Sequence, residues 1–552
     1  LALLLVKANK TMNRAGSWEQ RQKIRQQELK RFGKSRTTHK WLYSLILTVG
    51  VGLPLIALGV YFYQNYEPTT ELEVAGDTIT VRRGGDFQAA LNRAKAGDTI
   101  VLEAGAIFKG NFILPNKPGN QLITIRTSAP DSQLPNADSR IEPTKHAQFL
   151  PKILTVNSDP AIRAEKGARN YRFIGVEISA DTDKYVYNLV SLGTDEKRFE
   201  DLPQNIEFDR VYVHPSPKGK TRRGIALNGG AAIVKNSHLS GFAYREEETQ
   251  AIAGWSGPGP FKIINNYLEA GAENIMFGGS DPAIKGVIPS DIEIRNNLMT
   301  KPPEWRGNVS IKCTLELKNA RRVNISGNII EHTFDDLAVR LTVRNQDGTA
   351  PWSSIEDVVL ENNVIRNSGG GVLILGTDDN NKSQIMKRVK VINNLFLNLD
   401  AAKYGADGRF ILISGGEDIT VANNTVFHSG NMLTAHGNPV KNFVFRDNIL
   451  SHNNYGYNGD NVGVGKAVLP KYFPNGFFSG NVIVNGKNIP QSDVYVPARN
   501  YFAPNFQAVG FVDLNANNFR LSPNSNFKGK GWNGKDPGVD FTVFEKQFTE
   551  KY

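Results

Sequence analysis

The densest potential chemistry in the chain lies in the run NVSIKCTLELKNARR, residues 308–322, with two further cations about one repeat later. The run supplies Lys312, Glu316, Lys318, Arg321 and Arg322, and the later cations are Arg340 and Arg344. Like charges disfavour the protonated form of a lysine, so Lys318 flanked by Arg321 and Arg322 is drawn towards neutrality and suits a general base. An arginine holds a carboxylate through two parallel hydrogen bonds, a role that suits Arg340. The two together fit removal of a proton from the carbon beside a substrate carboxylate. Glu316 pulls the other way, because a neighbouring carboxylate keeps Lys318 charged. A Glu316–Arg340 pair on a solvated sheet face is the structural alternative for the same residues.

Other chemistries have weaker grounds. Glycoside hydrolysis needs carboxylates at close quarters, and the candidate pairs are Asp335–Asp336 and Asp378–Asp379. Aspartate pairs are common in turns, and the single His-Gly, His436–Gly437, lies about 100 residues past the first pair. Eight histidines are scattered without ligand spacing, and Cys313 is the only cysteine. That excludes a disulfide framework and a multi-cysteine zinc or iron–sulfur site. The cofactor is left open: calcium is possible, but no acidic cluster with its ligand set is found, so no metal site is assigned.

Long loops surround the cation run: 256–260, 279–291, 344–354 and 377–384. Three of the six tryptophans, Trp255, Trp305 and Trp352, fall among them. Exposed aromatic faces stack on sugar rings, so Trp255 and Trp352, with Arg344 and Asn228, read as substrate-binding. Each tryptophan equally fits a packing role under its loop.

A repeat must position these residues. From 160 to 485 a short alternating apolar run ends in Asn or an equivalent and then another apolar residue, as in FKIINNYL, RVNISGNII, VKVINNLFL and ITVANNTVF. The second turn position reads as Gly175, Arg210, Asn236, Asn266, Asn297, Asn328, Asn363, Asn394, Asn424, Asn448 and Asn481, about 31 residues apart on average. That period signals a solenoid. Alternation of period two and β-branched residues make its units strands, with no helix of useful length between them. Asn tolerates a left-handed backbone at the bend, and stacked Asn side chains hydrogen-bond along the column. About eleven coils at roughly 4.8 Å predict a rod a little over 50 Å long.

One strand of each coil aligns on inward residues Ile225, Ile252, Ile275, Leu315 and Val339. Two outward ladders then follow from the pleat: Ala226, Ala253, Met276, Glu316, Arg340, and Asn228, Trp255, Gly278, Lys318, Thr342.

Over roughly 75–540 this pattern resembles the right-handed parallel β-helix superfamily, the pectate-lyase-like fold. The resemblance implies an all-β solenoid with an N-terminal capping helix. DFQAALNRAKAGDTIVLEAG, 86–105, is similar to that helix and first strand, with Phe87, Ala90, Leu91 and Ala94 as its buried face. The tail NNFRLSPNSNFKGKGWNGKDPGVDF, 517–541, looks like the non-repetitive segment that follows the last coil in the family. A Lys on one coil and an Arg on the next is similar to some alginate and chondroitin lyases, although their full motif is absent.

The formal charge of +11 is concentrated at one end. Residues 1–40 hold eleven Lys or Arg against Glu19 and Glu28, a net of +9, which leaves +2 for the rest. A nearly neutral body carries no footprint for nucleic acid. WLYSLILTVGVGLPLIALGVYFY, 41–63, has no charge over 23 residues and aromatics at both ends, which is the expectation for one transmembrane helix. Basic residues before it and Glu67, Glu71 and Glu73 after it place the N-terminus in the cytoplasm and the rest in the periplasm or outside the cell. The expected organisation is a basic cytoplasmic segment at 1–40, the span at 41–63, a linker at 64–74, the β-helix at 75–499 and a C-terminal cap at 500–552.

Two functional expectations follow. One is a membrane-anchored enzyme acting on acidic polysaccharide by lyase-like β-elimination, with Lys318, Arg340 and Glu316 as its catalytic group and an epimerase sharing the same proton abstraction. The other is a non-catalytic solenoid that binds cell-envelope glycan or scaffolds an envelope complex.

Overall fold

The computed structural model describes residues 76–217, 219–484 and 499–549. The basic segment, the apolar span and the linker lie outside these residues. Among the described residues no helix is long and apolar enough to cross a membrane.

Each coil contributes one strand to each of three parallel sheets. Gly230–Lys235 enters the first sheet, His238–Phe242 the second and Gln250–Gly254 the third, before Gly259–Ile264 returns to the first. The strands stack in chain order into sheets of 14, 14 and 13 strands. This is an all-β solenoid of long parallel sheets, consistent with the right-handed β-helix expected. The stack begins at Thr78–Val81, well before the repeat is legible at 160, so it is longer than eleven coils. Fourteen strands span roughly 62 Å.

The core is a column of inward side chains. Ile225, Ile252, Ile275, Leu315 and Val339 pair in that order across the third sheet, and all are fully buried. Burying each such side chain contributes about 1.5–3 kcal/mol. The pairing of Met276 with Glu316, and of Glu316 with Arg340, sets the expected outward ladder.

The turn between the first and second sheets divides its work between two positions. The first residue takes the left-handed backbone, as at Asn265 (φ 54), Asn296 (φ 57) and Asn362 (φ 54), with Gly327 and Gly480 serving equally. The second is a buried Asn whose side chain runs along the axis: Asn297 Oδ1 accepts from both the backbone N and Nδ2 of Asn266, each at 2.9 Å. The chain of bonds continues through Asn328, Asn363, Asn394, Asn424, Asn448 and Asn481. Gly175, Arg210 and Asn236, expected in this column, instead occupy the left-handed position (φ 62, 52 and 54). The column position in the Asn236 turn is Ser237, which donates its backbone N to Asn266 Oδ1.

Phe87–Arg93 forms the short helix at the first coils, with Asp86 as N-cap accepting from Ala89 N at 2.8 Å. Phe87, Ala90, Leu91 and Ala94 are its buried face, and Phe87 packs on Phe112 at 4.8 Å. The C-terminal segment lies along the flank of the solenoid. Phe519, Val539 and Phe544 pack with Leu395, and Trp532 N donates to Asp447 Oδ1 at 2.7 Å. Tyr501–Ala503, at the start of the expected cap, still pairs as a coil strand with Val482–Val484.

Candidate functional site

The third sheet carries a break in side-chain alternation that decides which side chains face outward. Just before the inward Ile252, Ile275 and Leu315 stand Ala251, Asn274 and Thr314, and these too turn inward. Ala251 lies in the core, Asn274 Nδ2 donates to Leu268 O and Thr300 O, and Thr314 Oγ1 meets Thr333 Oγ1 at 2.5 Å. Two successive inward residues return the preceding one to the outside. Arg223, Gln250 and Glu273 therefore join the outward face.

Together with Lys312 and Glu316 they form a continuous polar row, buried except at Lys312. Arg223 Nε donates to Gln250 Oε1 at 2.9 Å, and Gln250 Nε2 donates to Glu273 Oε2 at 2.7 Å. Lys312 Nζ lies 2.8 Å from Glu273 Oε1 and 2.8 Å from Glu316 Oε2. Thr342 Oγ1 donates to Glu316 Oε1 at 2.9 Å, and Lys318 Nζ stands 3.5 Å from Glu316 Oε2.

A long excursion makes this row possible. Two residues join Tyr267–Ala270 to Glu273–Phe277, whereas residues 301–314 separate Leu298–Thr300 from Leu315–Leu317. The longer path folds Lys312 back over both carboxylates. At its start Lys301 is fully buried and donates to Ala270 O (2.9 Å), Ala272 O (2.8 Å) and Asn274 Oδ1 (3.1 Å). At its end Cys313 is buried, and burial pushes its thiol well above the ordinary value.

The electrostatics of the two carboxylates differ. Burial raises Glu273, although Lys312 works against it. Burial alone would raise Glu316 as well, but Lys318 and Lys312 outweigh it and hold Glu316 well below the usual carboxylate range. Lys312 is held above the ordinary lysine value because Glu273 and Glu316 overcome the effect of its burial. Single ligand atoms of Glu273, Cys313 and Glu316 lie within 4.8 Å of one another. Lys312 already seats its ammonium against both carboxylates of that trio, so the cationic position is taken by the chain itself.

Several residues singled out in the sequence have other roles. Arg321 and Arg322 belong to Ala320–Ser326 of the first sheet, where Arg321 bonds to Ser290 and Arg322 to Asp291, so the like charges expected beside Lys318 are absent. Arg340 pairs with Asp336 at 2.6 Å rather than with Glu316. Asn228 is fully buried, and its Oδ1 accepts from the backbone N of Trp255 and Ser256; a substrate cannot reach it. Arg344 clamps the 377–384 loop through Asp379 at 2.5 Å and Asp378 at 3.4 Å. Trp352 Nε1 donates to Val287 O at 3.0 Å, and the ring borders a shallow depression of about 550 Å³ with Asp281 and Lys285. Trp255 lies against Arg223, whose guanidinium carbon is 4.7 Å from its ring centroid. The aspartate pairs are equally engaged: Asp335 binds Arg306 at 2.9 Å, and Asp378 accepts from Asn345 N at 2.7 Å.

Glu273, Gln250, Arg223 and the bridging role of Lys312 were not legible as site features in the sequence. A strict period of two turns the first three inward. The signal that marks them is a recurring small or polar residue ahead of an inward aliphatic, as in QAI, ENI and CTL.

No family model and no curated protein sequence matches the chain. Among solved structures it is similar to the PL6 family alginate lyase AlyGC, with 14% identity and a TM-score of 0.49 over 84% of this chain and 58% of that one. The chain thus spans less than two thirds of that lyase. It is also similar to pectate lyase Pel9A, with 12% identity and a TM-score of 0.36 over 84% of this chain and 97% of that one. A third likeness is to the catalytic domain of a GH87 alpha-1,3-glucanase, with 11% identity and a TM-score of 0.43 over 84% of this chain and 70% of that one.

Proposed function

We propose that the protein engages an acidic polysaccharide on the outward face of the third sheet and cleaves it by β-elimination. The observation that carries this reading is the juxtaposition of Lys318 and Arg340 on successive coils, both reaching the surface over a buried anionic base. The Lys318 and Arg340 side chains are 12% and 27% exposed, against 2% for Glu316.

In this reading Arg340 holds the uronate carboxylate and Lys318 Nζ, once it has given up its own proton to solvent, takes the proton from C5. The electron pair forms the C4–C5 double bond, the C4–O bond breaks, and the leaving oxygen takes a proton from water. Glu316 is a positioning residue that holds Lys318 in place. A second reading, a non-catalytic glycan-binding scaffold, is favoured by one observation: Lys312 already seats its ammonium 2.8 Å from both Glu273 and Glu316.

The deciding experiment mixes the full chain with pectate, alginate and glycosaminoglycans and follows absorbance near 235 nm. Unsaturated product lost in Lys318→Ala at an unchanged melting temperature supports elimination. Glycan binding without product favours the scaffold. We further propose that residues 41–63 tether the solenoid outside the cytoplasm, on the charge asymmetry of the flanks. A periplasmic-active reporter fused after Tyr552 is then active, and a cytoplasmic-active one silent.

A further inference from the structure

A second cluster on the same face surrounds Arg223, at the N-terminal end of the polar row, and is unused by the proposed chemistry. Tyr185–Leu192 and Lys220–Leu227 are paired neighbours in the third sheet. They bring Tyr187, Arg222 and Arg223 to its outward side. The guanidinium carbons of Arg223 and Arg222 lie 4.6 Å and 5.2 Å from the Tyr187 ring centroid, and Trp255 flanks Arg223 in the next coil. Tyr187 is 44% exposed, so this stack opens to solvent.

Two features mark the cluster as more than packing. Arg223 is only 4% exposed, yet its Nη1 has no hydrogen-bond partner among the described residues. Arg222 Nε and Asn188 Oδ1, on the same two strands, are also buried without partners. Buried polar atoms are normally satisfied, so three on one strand pair mark a place built for polar contacts. Beside them is an open depression of about 600 Å³ lined by Tyr185, Lys220, Tyr244, Glu246 and Glu247. Lys220 lies over the Tyr244 ring at 5.8 Å.

We infer that Tyr187, Arg222, Arg223 and Trp255 form a binding site for a carboxylate-bearing sugar ring. The aromatic face of Tyr187 takes the apolar side of the ring, and the guanidinium groups take its carboxylate. Glu247, 3.5 Å from Arg222, and Glu246 accept from sugar hydroxyls on the far wall. The charges leave their mark on Tyr187: partial burial would raise its phenol, but the hydrogen bond to Arg223 and both guanidinium charges hold it below the usual tyrosine value.

The strand of Tyr187 and the strand of Lys318 lie four strand steps apart in the sheet, roughly 19 Å at 4.8 Å per step. An acidic polymer running along the axis would reach both. The choice of a uronate rests on the function proposed above, whereas the binding cluster itself stands on its own geometry.

The test titrates the full chain calorimetrically with tetragalacturonate and tetramannuronate, with cellotetraose as the neutral control. Tyr187→Ala and Arg222→Ala should each weaken the acidic tetramer about tenfold, the size of one charge-assisted or stacking contact, with melting temperature unchanged and cellotetraose unbound. Unchanged affinity in both variants, or equal affinity for cellotetraose, overturns the inference. The two proposals fail separately. Tyr187-dependent binding without unsaturated product sinks the elimination and leaves this site standing. Product formation with affinity insensitive to Tyr187 and Arg222 does the reverse.

Discussion

Glu316 and Arg340 are direct neighbours on paired strands, yet each has its own counter-charge: Lys312 at 2.8 Å for Glu316 and Asp336 at 2.6 Å for Arg340. The outward face therefore holds two separate ion pairs rather than one cross-strand ladder pair. In the first the carboxylate is buried (Glu316, 2%), and in the second the guanidinium is the more exposed partner (Arg340, 27%). Removing one charge from each has different consequences.

Lys312→Met should be severely destabilising. It leaves Glu273 and Glu316 buried on adjacent coils with no ammonium between them. Breaking a buried pair by deleting one partner costs about 3–5 kcal/mol. Without Lys312, Glu273, which burial already raises, binds its proton more readily folded than unfolded, while Lys318 stays beside Glu316. The deficit against the natural protein should therefore shrink as pH falls towards the carboxylate range. Urea melts at pH 7 and pH 5 measure this, and an equal deficit at both would show that the carboxylates are not the cause.

Arg340→Lys tests the partly exposed pair. The positive charge beside Asp336 survives, so the melting temperature should hold, while two parallel bonds to a uronate carboxylate become one. Turnover of an acidic glycan should fall about tenfold or more. Full turnover in this variant would remove Arg340 from the proposed chemistry.

The turn column offers a sharper stability contrast. Asn363 Oδ1 accepts from Asn328 N and Nδ2 at 2.9 Å, and its Nδ2 donates to Ile325 O, Glu361 O and Asn394 Oδ1. Asn363→Ala orphans several of these buried groups and should cost about 3–5 kcal/mol. Asn362 beside it holds the left-handed backbone (φ 54), a place that Gly327 and Gly480 fill in other coils. Asn362→Gly should cost about 1 kcal/mol or less. Calorimetric melting of the two variants checks the order, and a reversed order would refute the division of labour.

The repeat was legible because its Asn column and inward aliphatics recur at a period that only stacked coils satisfy. The inward series Ile225, Ile252, Ile275, Leu315 and Val339 pairs as the alternation predicts. What a strict period of two hides is the pair of successive inward residues, as in Ala251 with Ile252 and Asn274 with Ile275. Arg223, Gln250 and Glu273 share parity with the inward residues in sequence but face outward in the fold. Arg321 and Arg322 illustrate the converse error. They stand three and four residues after Lys318, but the third-sheet strand ends at Leu317 and they enter the first sheet in Ala320–Ser326. Nearness in sequence across a coil corner is not nearness on a face. The position of Lys312 over Glu273 depends on the path of residues 301–314, which no periodicity encodes.

Lys301 gives the last prediction, and it reads on pH. The amine is fully buried beneath the row, bonded to Ala270 O, Ala272 O and Asn274 Oδ1, and burial pulls it down to about 8 from 10.5. Cys313, Glu273 and Asp336 face it and act in the opposite sense. Below about pH 8 the amine is charged in both the folded and unfolded chain, so its unfavourable contribution is constant. Between about 8 and 10.5 the unfolded chain keeps a proton that the folded chain has released, and stability must rise with pH. The full rise is on the order of 3 kcal/mol. Tyr171 and Tyr457, raised by burial, act oppositely near pH 10, but they do so in any variant that retains them. The difference between the natural chain and Lys301→Met therefore isolates the lysine. Urea melts at pH 7.5, 9 and 10 should show the natural chain gaining on Lys301→Met at each step. Parallel profiles would mean that Lys301 keeps its proton throughout, held as a permanent internal cation by the carbonyl groups around it.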